Sequence, residues 1–257
     1  DGRLCELHKS LDRDCTLQML TARDKPGIQT YERSAVLLLL KAFYDTVGRE
    51  SVERISVEYS LSSALFLLAK GSFTLDQSLL ERVEERMREL SAAKLPIEKR
   101  SISTDDAMEL FRGAGLIHKA DLLSFRINSR VNVYSLDGFV DYFYGYMVPD
   151  TGYIRCFGLE LFENGFVLRL PTQRDPNQLG DFCPSRKVFL ELYQSTQRSQ
   201  ALGATNVAEL NAAIARGEAM PLILANEALM EKKIGDIAYE IAARKEVRFV
   251  MIAGPSS

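Results

Sequence analysis

The alternation of apolar and polar positions changes period along the chain, and each change marks an element. Leu80, Val83, Met87 and Leu90 recur every three or four residues, which places them on one face of a helix. Thr74-Leu-Asp-Gln77 ahead of them has the form of a capping box, and Glu84 and Arg88 fall four apart on the opposite, exposed side. A second helix is predicted from Tyr31 to Asp45, capped by Ser34 and ended by Gly48. Its run Ala35 to Leu40, continued by Ala42, Phe43 and Tyr44, is apolar on nearly every side, as in an element packed on two faces. Ser103-Thr-Asp-Asp106 opens another helix through Phe111, terminated by Gly113 and Gly115. Three more are predicted at Val188 to Arg198, Val207 to Arg216 (capped by Asn206) and about Leu222 to Lys245.

The remaining segments read as strands and turns. Val52, Ile55, Val57 and Tyr59 predict a strand, followed by the apolar run Ala64 to Ala69 and a turn at Gly71; Ile97 to Ile102 is a short strand. From Val131 to Leu170 strands are predicted at Val131 to Tyr134, Phe139 to Tyr144, Tyr153 to Leu161 and Phe166 to Leu170, forming one antiparallel sheet with a hairpin at Asn164-Gly165. Thr172 to Pro184 is a loop rich in Pro, Asp and Gly. Asp1 to Ile28 mixes short apolar positions with turn residues, including Lys25-Pro26-Gly27, and is predicted to form short strands closing a small sheet. Val247 to Ala253 has the continuous apolar character of a buried parallel strand. The fold class is therefore α+β.

Composition narrows the functional classes. The 257 residues are 46% hydrophobic, enough for a substantial core, and 32 basic against 35 acidic side chains leave a net charge of −3. No bulk field draws such a chain to nucleic acid or to an anionic membrane, so neither is an expected partner. Cys5, Cys15, Cys156 and Cys183 are widely spaced without a CxxC pair, which suits reduced thiols. No basic segment followed by an apolar one opens the chain, and the most apolar stretch is far short of the roughly 20 residues of a membrane span. A cytoplasmic setting is the expectation. His8 and His118 are the only histidines, which limits imidazole chemistry. His118 reads as an exposed loop residue, Cys156 as a small core side chain on a strand, and Asp137 and Asp150 as turn residues. Asp141 joins those two as a carboxylate available for acid–base work.

An apolar strand running into Gly254-Pro255-Ser256-Ser257 has the form in which a phosphate-binding GxxxxGK[ST] loop begins; an ordinary Gly-Pro turn after a strand is the other reading.

Two segments resemble a known family. Gly27-Ile-Gln-Thr-Tyr-Glu-Arg-Ser-Ala-Val-Leu-Leu-Leu-Leu-Lys-Ala-Phe-Tyr44 is similar to the start of the second additional, or editing, domain of threonyl-tRNA synthetases, where an HxxxH helix follows a small TGS domain. Gly138-Phe-Val-Asp-Tyr-Phe-Tyr-Gly-Tyr-Met-Val-Pro-Asp-Thr-Gly-Tyr-Ile154 resembles the segment whose consensus runs roughly FVDLCRGPHVPSTGxI. The resemblance covers about Asp1 to Leu170 and implies a β-grasp (TGS) remnant at 1–28, an editing-like domain at 29–195 and a helical connector at 196–245. At the positions of the family's helix histidines stand Arg33 and Leu37, and at those of its later cysteine and histidine stand Phe143 and Met147. None of these four side chains replaces an imidazole or thiolate. The expectation is loss of the metal site and of metal-dependent editing hydrolysis.

Glu227-Ala-Leu-Met-Glu-Lys-Lys-Ile-Gly-Asp-Ile-Ala238 and Val250-Met-Ile-Ala-Gly-Pro-Ser-Ser257 resemble the linking text of uridine kinase and phosphoribulokinase relatives that carry such a front end ahead of a P-loop domain. That resemblance assigns 246–257 to the first strand and the opening of the phosphate loop. It implies an incomplete loop here, no cofactor for this region, ATP and Mg²⁺ for the complete protein, and the kinase domain as partner. The implied role is a non-catalytic ligand-binding or regulatory region, with a metal-free hydrolase or a tRNA-binding module as alternatives.

Two readings stand for each cleft residue. Arg33 is either a surface residue or, with Arg155 or Arg169, a guanidinium that makes the vacated cleft cationic for a small anionic ligand. Tyr142, Phe143, Tyr144, Tyr146 and Met147 either fill the core or, at Tyr144 and Tyr146, stack on a nucleobase.

Overall fold

The computed structural model describes residues 4–12, 14–252 and 254. The chain divides into two compact units, Asp1–Ser195 and Thr196–Ser257. The first unit is α+β, with two antiparallel sheets and several helices.

Its centre is α1, Lys25–Val47, of which Ala35, Leu37, Leu38, Leu39, Ala42 and Phe43 are fully buried. The near-continuous apolar run dictates this: a helix apolar on all sides must be covered on all sides. The helix starts earlier than the periodicity predicts. Pro26 lies in its first turn, where a missing N–H costs nothing, so Lys25-Pro26-Gly27 opens a helix and is not a turn between strands. Ser34 consequently sits inside the helix, where its hydroxyl donates to Thr30 O at 2.7 Å; it is not the cap.

One sheet has the order β1-β2-β7-β6, from strands Val52–Leu61, Ala64–Gly71, Gly165–Arg169 and Gly158–Phe162; the other has the order β3-β4-β5, from Glu98–Ser103, Arg130–Leu136 and Phe139–Tyr142. The strands between 130 and 169 therefore do not form the single sheet expected of them. Leu65 pairs with Leu168 and Phe66 with Val167, so β7 completes the β1–β2 hairpin. Asp137-Gly138, with φ of +46° and +79°, turns β4 into β5 as an Asp-Gly hairpin should. The β6–β7 hairpin turns at Glu163-Asn164, one position before the predicted pair, and Gly165 is inside β7, where a Cβ would lie 2.3 Å from Leu67 O.

Helix α2, Gln77–Ala92, buries Leu80, Val83, Met87 and Leu90 as the periodicity predicts. Its cap is Asp76, which accepts from Leu79 N at 2.8 Å, and not Thr74. Glu84 is bonded to Arg88 and also accepts from Leu159 N at 2.7 Å, so it links the helix to β6. Ser103 caps α3, Thr104–Gly113, by accepting from Asp106 N at 3.0 Å. A further helix, α4, Ile117–Ser124, stands where a loop was expected; His118 lies on it, half-buried. Phe189 of α5, Arg186–Ala201, packs with Phe66, Phe162 and Tyr193.

The described residues of 4–24 form no strand, contrary to the expectation of a small sheet, and Leu7, Leu11, Leu17 and Met19 are exposed. A strand needs a neighbouring strand for its backbone groups, and among the described residues none pairs with this segment. The second unit holds α6, Val207–Ala215, capped by Asn206, and α7, Ala219–Ala243, which buries no residue. Val247 to Ile252 is not the expected buried strand: Phe249, Met251 and Ile252 are at least 90% exposed. Gly254 follows it, and Pro255, Ser256 and Ser257 of the expected phosphate loop lie outside the described residues.

Candidate functional site

The site forms where α1 meets the segment after β5. Ser34 Oγ accepts from Val148 N at 3.0 Å and contacts Met147 Sδ at 3.4 Å, and Arg33 Nε donates to Tyr146 O at 3.1 Å. Leu37 is fully buried and Met147 is 4% exposed in one apolar cluster, against which Phe143 packs. The four positions singled out in the sequence are thus brought into one region, and three of them present carbon or thioether to the core. Among the described residues, no three His, Cys, Asp or Glu side chains cluster as metal ligands would.

On the β3-β4-β5 sheet, Lys99 pairs with Tyr134 and Tyr134 with Asp141, so the three stand across the sheet on one face. Two polar assemblies occupy that face. In the first, Glu6 from the N-terminal segment inserts its carboxylate: Lys99 Nζ lies 2.8 Å from Oε2, while Tyr134 Oη lies 2.7 Å and Met147 N 3.3 Å from Oε1. Burial alone would raise the Glu6 pKa. Lys99, Tyr134 and the Met147 amide outweigh it and hold the carboxyl below its usual range. Burial and the Glu6 charge together push the Tyr134 phenol strongly upward, so it keeps its proton, for which Glu6 Oε1 and Gly145 O, at 2.6 Å, are the two acceptors.

In the second assembly Asp141, 1% exposed, pairs with Lys119 and accepts from its own neighbour Tyr142 N, while Oδ2 is buried without a hydrogen-bond partner. His118 lies nearby, its pKa lowered by burial and by Lys119 and Arg54. Lys119 carries no local signal, because its pairing with Asp141, 22 residues away, is made by the fold.

Beside Glu6 opens a groove of about 600 Å³. Tyr144, 85% exposed, and Tyr146 line it, as do Tyr142, Lys99, Arg126 and Arg130. Lys99 Nζ is 5.4 Å from the Tyr146 ring centre, and the Arg126 guanidinium lies over the Tyr142 ring at 5.5 Å and bonds its hydroxyl. Arg130 bonds Ser101 across the strand pair.

Of the predicted arginines, Arg33 lies next to the groove but is spent on Tyr146 O and Thr30 Oγ1; burial lowers its pKa. Arg155 is exposed and donates to Gly152 O, and Arg169, on β7, bonds Gly180 O and faces Glu160; neither lines the groove. Among the described residues, the groove's lysines and arginines are instead Lys9, Lys99, Arg126 and Arg130. The alternation Arg126-x-Asn128-x-Arg130 leading into β4 was the available signal. Cys156 precedes β6 and is half-buried; Tyr31 Oη accepts from its N–H and donates to its carbonyl, both at 2.8 Å. Burial pushes that phenol up to about 12.

No family model matches the chain. Among curated proteins it is similar to threonine–tRNA ligases. That of Methylococcus capsulatus is 31% identical over 167 aligned residues, 62% of this chain and 25% of the relative. Those of Thermotoga maritima and Pelobacter propionicus are 27% and 29% identical, each over 62% of this chain and 24% of the relative. The chain spans about a quarter of the length of the curated relatives it matches. This similarity supports a threonyl-tRNA synthetase editing-like region within the chain. Among the described residues, no helix is long and apolar enough to cross a membrane.

Proposed function

We propose that this chain is a non-catalytic, ligand-binding region of a uridine kinase-like phosphotransferase, built on a synthetase editing-type fold that has lost metal-dependent hydrolysis. The observation that carries the loss of hydrolysis is the burial of Leu37 and Met147, at 0% and 4% exposure, where the resemblance calls for imidazoles. Leu37 has no lone pair, and the soft thioether of Met147 neither takes up a proton nor stands in for the imidazole of a hydrolytic metal site. The kinase part of the reading rests on the resemblance of 227–238 and 250–257. In it, phosphotransfer from ATP with Mg²⁺ belongs to the kinase domain, the partner of this region, and the setting is cytoplasmic.

The ligand is an anion with an aromatic face, such as a nucleotide. Tyr144 and Tyr146 supply ring surfaces, while Lys99, Arg126 and Arg130 supply charge in a groove whose size is within the range of small-ligand sites, about 300–1,000 Å³. Kinase assays across nucleosides, comparing the full protein with one lacking this region, test the reading. Altered rate or substrate preference is expected, and unchanged values would remove the regulatory role.

A second reading is favoured by Asp141 and Lys119. A buried carboxylate with a free oxygen beside an ammonium is an acid–base pair in the manner of a metal-free hydrolase. Release of serine from mischarged threonine tRNA, abolished in Asp141→Asn, would establish it.

A further inference from the structure

Leu4, Cys5, Glu6, His8 and Lys9 form one side of the groove, and the leucines of this segment bury little apolar surface. Leu4 and Leu7 are 39% and 59% exposed, whereas the Glu6 side chain is only 7% exposed. Polar contacts hold the segment: Lys9 N closes a turn on Glu6 O, Tyr146 Oη donates to Leu4 O at 3.2 Å, and Lys99, Tyr134 and Met147 N hold Glu6. His8 Nε2 lies 3.8 Å from the same carboxylate. An anion is therefore gripped by an ammonium, a phenol and a backbone amide, on a segment whose leucines are largely exposed.

We infer that Lys99 Nζ, Tyr134 Oη and Met147 N–H form an anion subsite at the edge of the groove, that Glu6 is its tethered occupant, and that a ligand's phosphate or carboxylate takes the same place by displacing residues 4–9. The three donors are the set that recognises a phosphate or carboxylate oxygen. They lie on rigid elements, β3, β4 and the segment clipped to α1, so the subsite survives departure of the segment. Tyr146 touches both the Leu4 carbonyl and the groove, so release of the segment also frees this ring to stack. A ligand entering the groove thus competes with a group of the protein itself. Its apparent affinity is reduced by the fraction of molecules in which Glu6 is seated.

This inference rests on the proposed ligand-binding reading, and the test separates the two. Inorganic phosphate and AMP would be titrated calorimetrically into the native chain, Glu6→Ala, and Glu6→Ala combined with Lys99→Ala. Hydrogen exchange at residues 4–9 would be followed in the native chain with and without AMP. The expected result is AMP binding about tenfold tighter in Glu6→Ala, lost again with Lys99→Ala, and faster exchange at 4–9 when AMP is added. Equal AMP affinity in native and Glu6→Ala proteins overturns the tethered occupant and leaves the groove reading intact. Tighter phosphate binding with AMP no better than phosphate upholds the subsite and removes the nucleotide. A folded Glu6→Ala protein that binds neither probe overturns both.

Discussion

Arg33 and Gly145 meet where helix α1 touches the irregular segment 143–148: Gly145 has φ of +120°, and a Cβ built on it would lie 2.7 Å from the Arg33 guanidinium carbon. The glycine lets the backbone turn its next carbonyl, that of Tyr146, onto Arg33 Nε. Arg33, which the sequence leaves open as a surface residue or a cation of the cleft, is a clip between two elements.

Removing the clip should destabilise the fold. Arg33→Ala is expected to cost about 1–2 kcal/mol in urea unfolding, the range for a charge-assisted hydrogen bond that is half-buried. Arg33→Lys should restore little, because an ammonium cannot span Tyr146 O and Thr30 Oγ1 as the guanidinium does.

Gly145→Ala adds both a strained φ and a clash with Arg33, and about 1–3 kcal/mol of destabilisation is expected. In an Arg33→Ala background the clash disappears and the strain remains. The double mutant should therefore be more stable than the sum of the two costs predicts, as a double-mutant cycle would read.

Leu37→Ala opens a cavity in the centre of α1 packing, with about 2–5 kcal/mol expected from equilibrium unfolding. A loss well under this range would show that Leu37 is not core.

The Glu6 carboxyl has a lowered pKa in the folded chain, so its pairing contributes stability above the ordinary value of 4.5 and loses it as pH falls through the folded value below that. Lys99, Tyr134 and His8 lie against it. The Met147 amide resonance should shift on acidification below pH 4.5 and hold still in Glu6→Gln.

His118 shows the opposite arrangement: its pKa is lowered from 6.5 by burial and by Lys119, Arg54 and Arg49, with Asp141 opposing. The unfolded chain takes up the proton first, so stability should decline as pH falls below 6.5 and be complete above it. His118→Gln should flatten the decline measured by urea unfolding between about pH 5 and 7.

The α+β class, the amphipathic face of α2, the caps Ser103 and Asn206 and the α5 to α7 helices were legible because each is written within a few residues, in periodicity or a single side chain. The absence of imidazole and thiol at 33, 37, 143 and 147 was legible for the same reason. Tyr144 and Tyr146 were named as stacking residues and do line the groove, yet Arg155 and Arg169 do not, since a charge in sequence carries no address.

Local pattern determined that this chain would build helices and antiparallel strands around an apolar α1, and that positions 33, 37, 143 and 147 carry neither imidazole nor thiol. Only the tertiary structure decided that β7 joins β2, that Asp141 is neutralised by Lys119, and that Glu6 reaches Tyr134, 128 residues away, to fill an anion subsite. Those contacts depend on register and loop closure over long separations. Periodicity reports which face of an element is apolar, and it is silent on which distant element arrives to cover it.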